Sequence, residues 1–101
     1  MKLEYDGDFR RRWDKRRDLA VSVIRDALAG DCVEWELDRL KAASNYERLS
    51  SQDRASFRRF CSDVRTIWEG WHALQSHERT AFLNGKSVYS TLAKEIRERV
   101  A

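Results

Sequence analysis

Proline is absent from these 101 residues and glycine occurs only four times. Sandwiches and barrels need denser turn punctuation than that, so the shortage favours helices over strands. Cysteine is scarce as well: Cys32 and Cys61 stand 29 positions apart, with no CxxC spacing. That argues against a disulfide-stapled scaffold or a zinc site, and a reduced, cytoplasmic protein is expected. No apolar run approaches the roughly 20 residues of a membrane span. No secretory apolar segment follows "MKLEYDGD", so no membrane partner is expected. Neither charge sign dominates, since 20 Lys and Arg against 17 Asp and Glu leave a net charge of +3. A dedicated nucleic-acid binder is usually more basic, and a nucleic-acid mimic strongly acidic.

What is present points to a folded domain with a heavily charged surface. Hydrophobic residues make up 42%, charged residues 37% and aromatics 11%. A disordered chain of this charge content would lack the aromatics. The length suits one domain with a single modest core, residues 1–101, in which 1–7 form a flexible or extended arm.

Apolar spacing predicts an all-α bundle of four to five helices, at about 9–29, 32–43, 52–74, 77–84 and 88–100, with no sheet. Asp8 is a suitable cap for the first and Gly30 a suitable C′ residue. "DCVE" reads as a capping box, Asp31 with Glu34, opening a helix whose buried stripe is Val33, Leu37 and Leu40. "SNYERLSS" is the expected break. Ser50 or Ser51 then caps the strongest helix, whose apolar residues from Phe57 to Leu74 fall within an arc of roughly 140°. Gly70 is placed to end it a turn early. In the last helix, capped by Ser87, the expected inner edge is Val88, Leu92, Ile96 and Val100, with Tyr89 and Ala93 beside it.

An internal echo stands out. "LSSQDRASF" (49–57) and "LQSHERTAF" (74–82) share L-x-S-[QH]-[DE]-R-x-x-F at an offset of 25. Its content is a helix start: a leading Leu, a Ser cap, an acidic residue in the first turn, and an aromatic for the core. Two copies are too few for a repeat architecture and are read as independent helix starts.

Catalytic signatures are missing. His72 and His77 are five apart and share no helical face, and no third ligand stands at metal spacing. "LNGKS" lacks the upstream glycine of a phosphate loop. Glu34 with Asp38 is ordinary helix-surface spacing. Cys32 near a helix start has acidic neighbours that oppose thiolate formation, and Cys61 sits inside the apolar arc. No catalytic residue, metal or cofactor is expected.

Surface features are more informative. "FRRRWDKRRD" places Arg10, Arg11, Arg12, Lys15, Arg16 and Arg17 around Trp13. On a helical wheel these cations form a collar rather than a patch. They also lie at a helix N-terminus, where the dipole disfavours them, and a locally unfavourable arrangement suggests function. Trp35 lies roughly 160° from its helix's buried stripe, either packed on a second neighbour or anchoring a partner. Arg54, Arg58, Arg65 and His72 align within about 40° along the central helix. Such a row suits a phosphate backbone or an acidic surface; the plain alternative is a solvated edge paired with nearby carboxylates, Glu69 among them. Residues 77–97 also resemble a helix-turn-helix, in which Lys86, Ser87, Tyr89, Ser90 and Lys94 would face nucleic acid. Thr91, where that motif wants a buried aliphatic, counts against it.

These readings converge on a small non-enzymatic binding protein, a regulator or inhibitor that docks on a larger protein or nucleoprotein complex. Its partner-binding candidates are Arg10, Arg11, Arg12, Trp13, Lys15, Arg16, Arg17, Trp35, Arg54, Arg58 and Arg65. Glycine-poor, Arg- and Trp-rich helical proteins of this size are common among phage and mobile-element inhibitors, an analogy of composition only. The alternative is a DNA- or RNA-binding transcriptional regulator using the 77–97 hairpin. The Val88–Leu92–Ile96 edge either closes the bundle or pairs two chains as a homodimer.

Overall fold

A computed structural model describes residues 16–30 and 32–101. Within them the chain forms five α-helices and no strand. These are α1 (Arg17–Leu28), α2 (Val33–Ala43), α3 (Ser51–Glu69), α4 (Ser76–Leu83) and α5 (Tyr89–Val100). Two single-turn 3-10 segments, Tyr46–Arg48 and Trp71–Ala73, lead into α3 and α4.

The first helix is shorter than its apolar spacing suggests. Arg16 has left helical geometry (φ −86°, ψ 52°), so α1 starts at Arg17 and is not one rod from Phe9. Asp18 then stands in its first turn and Arg25 in its last, the order the macrodipole favours. Asp8, Trp13, Asp31 and the proposed arm lie outside the described residues.

Three helices stop on a left-handed C′ residue: Gly30 (φ 106°), Asn45 (φ 55°) and Gly85 (φ 70°). At Gly85 the pattern is a full Schellman closure, with Gly85 N–H donating to Phe82 C=O and Lys86 N–H to Ala81 C=O. Gly70 ends α3 differently. A Cβ there would overlap Ile96 Cγ2, so the missing side chain lets α5 lie close against the end of α3.

Central position belongs to α3, which packs against α1, α2 and α5, with α5 its most extensive neighbour. Phe57, Phe60, Cys61, Val64 and Ile67 are buried along it, as the apolar arc requires. Opposite them α5 buries Tyr89, Leu92, Ala93 and Ile96, the i, i+3, i+4, i+7 stripe. Tyr89 meets Phe60 edge-on at 5.0 Å between ring centroids. This corrects the expected inner edge: Val88 is the N-cap residue and exposed, and Val100, the last residue of α5, is exposed as well. Leu28, at the last position of α1, is also half-exposed. Ser87 gives α5 no side-chain cap. Between α3 and α5 the buried Asp63 accepts a 2.8 Å hydrogen bond from Arg97.

The internal echo is a repeated structure and extends further upstream than "L-x-S". In both copies an aromatic opens a 3-10 turn (Tyr46, Trp71), a buried Leu follows (Leu49, Leu74), and a helix starts two residues later. The cap is the residue before the shared serine: Ser50 accepts from Asp53 N–H, and Gln75 forms a capping box with Glu78. In both the shared arginine folds back onto the turn. Arg54 donates to the carbonyls of Leu49 (3.0 Å) and Glu47 (3.4 Å). Arg79 donates to those of Trp71 (3.0 Å) and His72 (3.1 Å). Each guanidinium also lies 5.9 Å from the centroid of the opening aromatic ring. That ring in turn packs on the closing phenylalanine, Tyr46 on Phe57 at 5.6 Å and Trp71 on Phe82 at 6.1 Å.

Candidate functional site

On α2, Glu34, Asp38 and Lys41 recur at i, i+4, i+7 and share one edge. On α3, Arg54, Arg58, Cys61 and Arg65 do the same. Because the turn at 44–50 reverses the chain, the two edges face each other antiparallel. Glu34 meets Arg65 at one end, and Lys41 nears Arg58 at the other. Between them lies a groove of about 300 Å³, with Leu37, Phe57 and Cys61 contributing its apolar lining.

One end of the groove is closed electrostatically. Arg65 grips Glu34 in a bidentate pair, Nε to Oε2 at 2.7 Å and Nη2 to Oε1 at 2.9 Å. The hydrogen bond from Arg65 holds the Glu34 carboxyl below the usual range, and the same bond raises the guanidinium's pKa. The partner of Arg65 is therefore Glu34 across the groove, not Glu69 along its own helix.

The other end is organised by Tyr46. Its hydroxyl accepts a 2.6 Å hydrogen bond from Arg58 Nη1. Lys41 Nζ sits 4.6 Å above its ring centroid, a cation–π distance. Three cations, Lys41, Arg54 and Arg58, thus surround one aromatic ring. Among the described residues neither Lys41 nor Arg58 forms an ion pair, whereas Arg39, Arg65, Arg97 and Arg99 each have a carboxylate. A second hollow beyond Tyr46, passing Asn45, Glu47 and Arg48, shares Asp38, Lys41 and Tyr46 with the first.

The groove holds no activated nucleophile. Burial pushes the Cys61 thiol up to about 11, so at neutral pH it is a small apolar group in the floor. Among the described residues no three His, Cys, Asp or Glu side chains converge as metal ligands would. What the arrangement offers is a concave, partly apolar surface with cationic groups at its rim.

Trp35, also on α2 but in the lining of neither hollow, is 61% exposed. Among the described residues no helix covers it, as the alternative of packing on a second neighbour required. Trp68 and Trp71, by contrast, are half-buried against the core. Arg39, one turn beyond Trp35, is paired with Glu36.

Other predicted residues disperse. Of the basic collar only Arg16 and Arg17 are described, at the start of α1; Arg10, Arg11, Arg12, Trp13 and Lys15 lie outside the described residues. His72 leaves the arginine row because α3 has already ended, and it sits exposed in the second 3-10 turn. In the hairpin, Lys86 and Lys94 are exposed and Ser87 and Ser90 half-exposed. Tyr89 is 2% exposed in the core and cannot face a groove. The outward stripe of α5 is Thr91, Lys94, Glu95 and Glu98, with two carboxylates to one ammonium.

Sequence reasoning overlooked Lys41, and Tyr46 fell within the segment read only as a break, beyond the end of α2 at Ala43. The signal that finds Tyr46 is the echo carried three residues upstream, where it aligns with Trp71. No protein-family model, curated protein sequence or solved structure matches this chain.

Proposed function

We propose that this chain is a non-enzymatic binding protein, a regulator or inhibitor that docks on a larger protein through α2 and the α2–α3 groove. The observation that carries the reading is Trp35, a tryptophan left mostly in water on a helix whose other large apolar residues face inward. Tryptophan and arginine are the residues most enriched in binding hot spots, where a desolvated aromatic supplies area and the rim supplies charge. Trp35 stands on the same helix as Lys41, and α2 with the groove together offer that composition. Covering a partner's surface is itself a means of regulation, and it needs no catalytic group on this side.

The hairpin reading has less behind it. A face that enters nucleic acid should be cationic, and the outer stripe of α5 is not. A photo-crosslinking amino acid placed at position 35 or at position 94 separates the two. In an extract of the native host, protein adducts formed from 35 and not from 94 are expected. Nucleic-acid adducts from 94 would reverse the assignment.

A further inference from the structure

Seven arginines of the described fold are engaged within the chain by a carboxylate or a backbone carbonyl. Arg39, Arg65, Arg97 and Arg99 have carboxylates. Arg25 donates to Leu83 C=O, and Arg54 and Arg79 hold backbone carbonyls. Lys41 and Arg58 differ. They converge from two helices on one concavity, and there they meet a ring face and a phenol hydroxyl rather than an anion. A π face and a neutral acceptor interact with a cation more weakly than a carboxylate does. Both cations thus retain most of their capacity to bind an anion.

Resting on the docking reading above, we infer that the trough over Tyr46 receives an acidic peptide segment of the partner. Its carboxylates would pair with Lys41 and Arg58, and an apolar side chain beside them would lie on Tyr46 and Phe57. Charge complementarity alone would also admit a phosphate backbone, but the trough's other features favour the peptide. Asp38 and Glu47 stand in its two hollows, where a uniformly anionic strand would meet them at close spacing. A peptide can place its carboxylates at Lys41 and Arg58 and neutral residues opposite Asp38 and Glu47. The apolar floor likewise suits side chains that alternate in character. Arg58 is held in position by the Tyr46 hydroxyl, so little guanidinium freedom remains to be lost when a carboxylate arrives.

The test is an NMR titration of the full chain with a short synthetic peptide alternating Glu with Leu and Phe, and with its Gln-for-Glu counterpart. The Glu peptide is expected to shift the resonances of Lys41, Tyr46 and Arg58, with an affinity that falls as salt rises. The Gln peptide should leave them in place. Combining Lys41→Gln with Arg58→Gln should weaken the Glu peptide by about tenfold or more, while the spectrum keeps its native dispersion. Equal binding of the two peptides, or no loss in the double variant, overturns the inference. So does a random-sequence single-stranded oligonucleotide that moves the same resonances more tightly than the peptide. Failure here together with protein crosslinks from position 35 removes the acidic occupant alone; failure of both removes the docking surface as well.

Discussion

Cys32 and Cys61 carry the same thiol into opposite surroundings, one exposed at the start of α2 and the other in the floor of the groove. Desolvation pushes Cys61 to about 11, so its thiolate is scarce at any ordinary pH. At pH 8 a thiol reagent should label Cys32 rapidly and Cys61 only after unfolding, as mass spectrometry of the labelled chain would show. Equal rates would mean that α2 does not cover α3 as described. Gly70 is the other single residue on which packing depends. Gly70→Ala forces a methyl into Ile96, and overpacking of this kind costs about 1–3 kcal/mol. Urea unfolding should report that loss, and combining it with Ile96→Ala should recover part of it. Trp35→Ala, at a 61% exposed position, is expected to stay within about 0.5 kcal/mol of the parent.

At the scale of elements, the repeated helix start explains how α3 and α4 are joined to what precedes them. The planar fork of Arg54 and Arg79 spans two carbonyls of a 3-10 turn while its face lies toward an aromatic ring. Lysine has one compact donor group and cannot do both. Arg54→Lys and Arg79→Lys should each lower stability by about 1–2 kcal/mol, and similarly to one another. A thermal melt that shows a large loss for one and none for the other would break the equivalence. The second copy also fixes a pH response. A hydrogen bond from Arg99, then one from the Gln75 backbone N–H, holds the Glu78 carboxyl at about 2 against its ordinary 4.5. A pKa depressed by folding contributes stability that is complete above about pH 4.5 and lost as pH falls toward 2. Arg99→Ala should therefore flatten the acid limb of the stability curve in that window. Glu34, held down by Arg65, acts in the same direction. The sequence motif behind this device was visible as a nine-residue echo. Its mechanism was not, because the arginine's partners are main-chain carbonyls that no residue type announces.

For the molecule as a whole, helix number and the central place of α3 follow from apolar periodicity, which is set by local geometry. Where the pattern misled, the cause was tertiary. Val88 and Val100 continue the spacing of α5, yet they stand at its two ends and are exposed there. Tyr89, expected beside the inner edge in the bundle reading and outward only in the helix-turn-helix alternative, fills the space beside Phe60. The α2–α3 groove was half legible: Arg54, Arg58 and Arg65 share an edge by spacing alone. That Glu34 claims Arg65, and that Tyr46 turns in beneath Lys41, depends on a chain reversal that helical wheels do not contain. Trp35 was singled out correctly as facing away from its stripe. Its exposure could not be known before the neighbours of α2 were in place.

The central claim is that Trp35 serves recognition and not folding. Its most direct test compares the parent and Trp35→Ala in parallel, by thermal midpoint and by affinity capture from the native host. The expected result is an unchanged midpoint together with loss of a protein that the parent retains. A midpoint lowered as a core tryptophan's loss would lower it, or an identical set of captured proteins, would contradict the account.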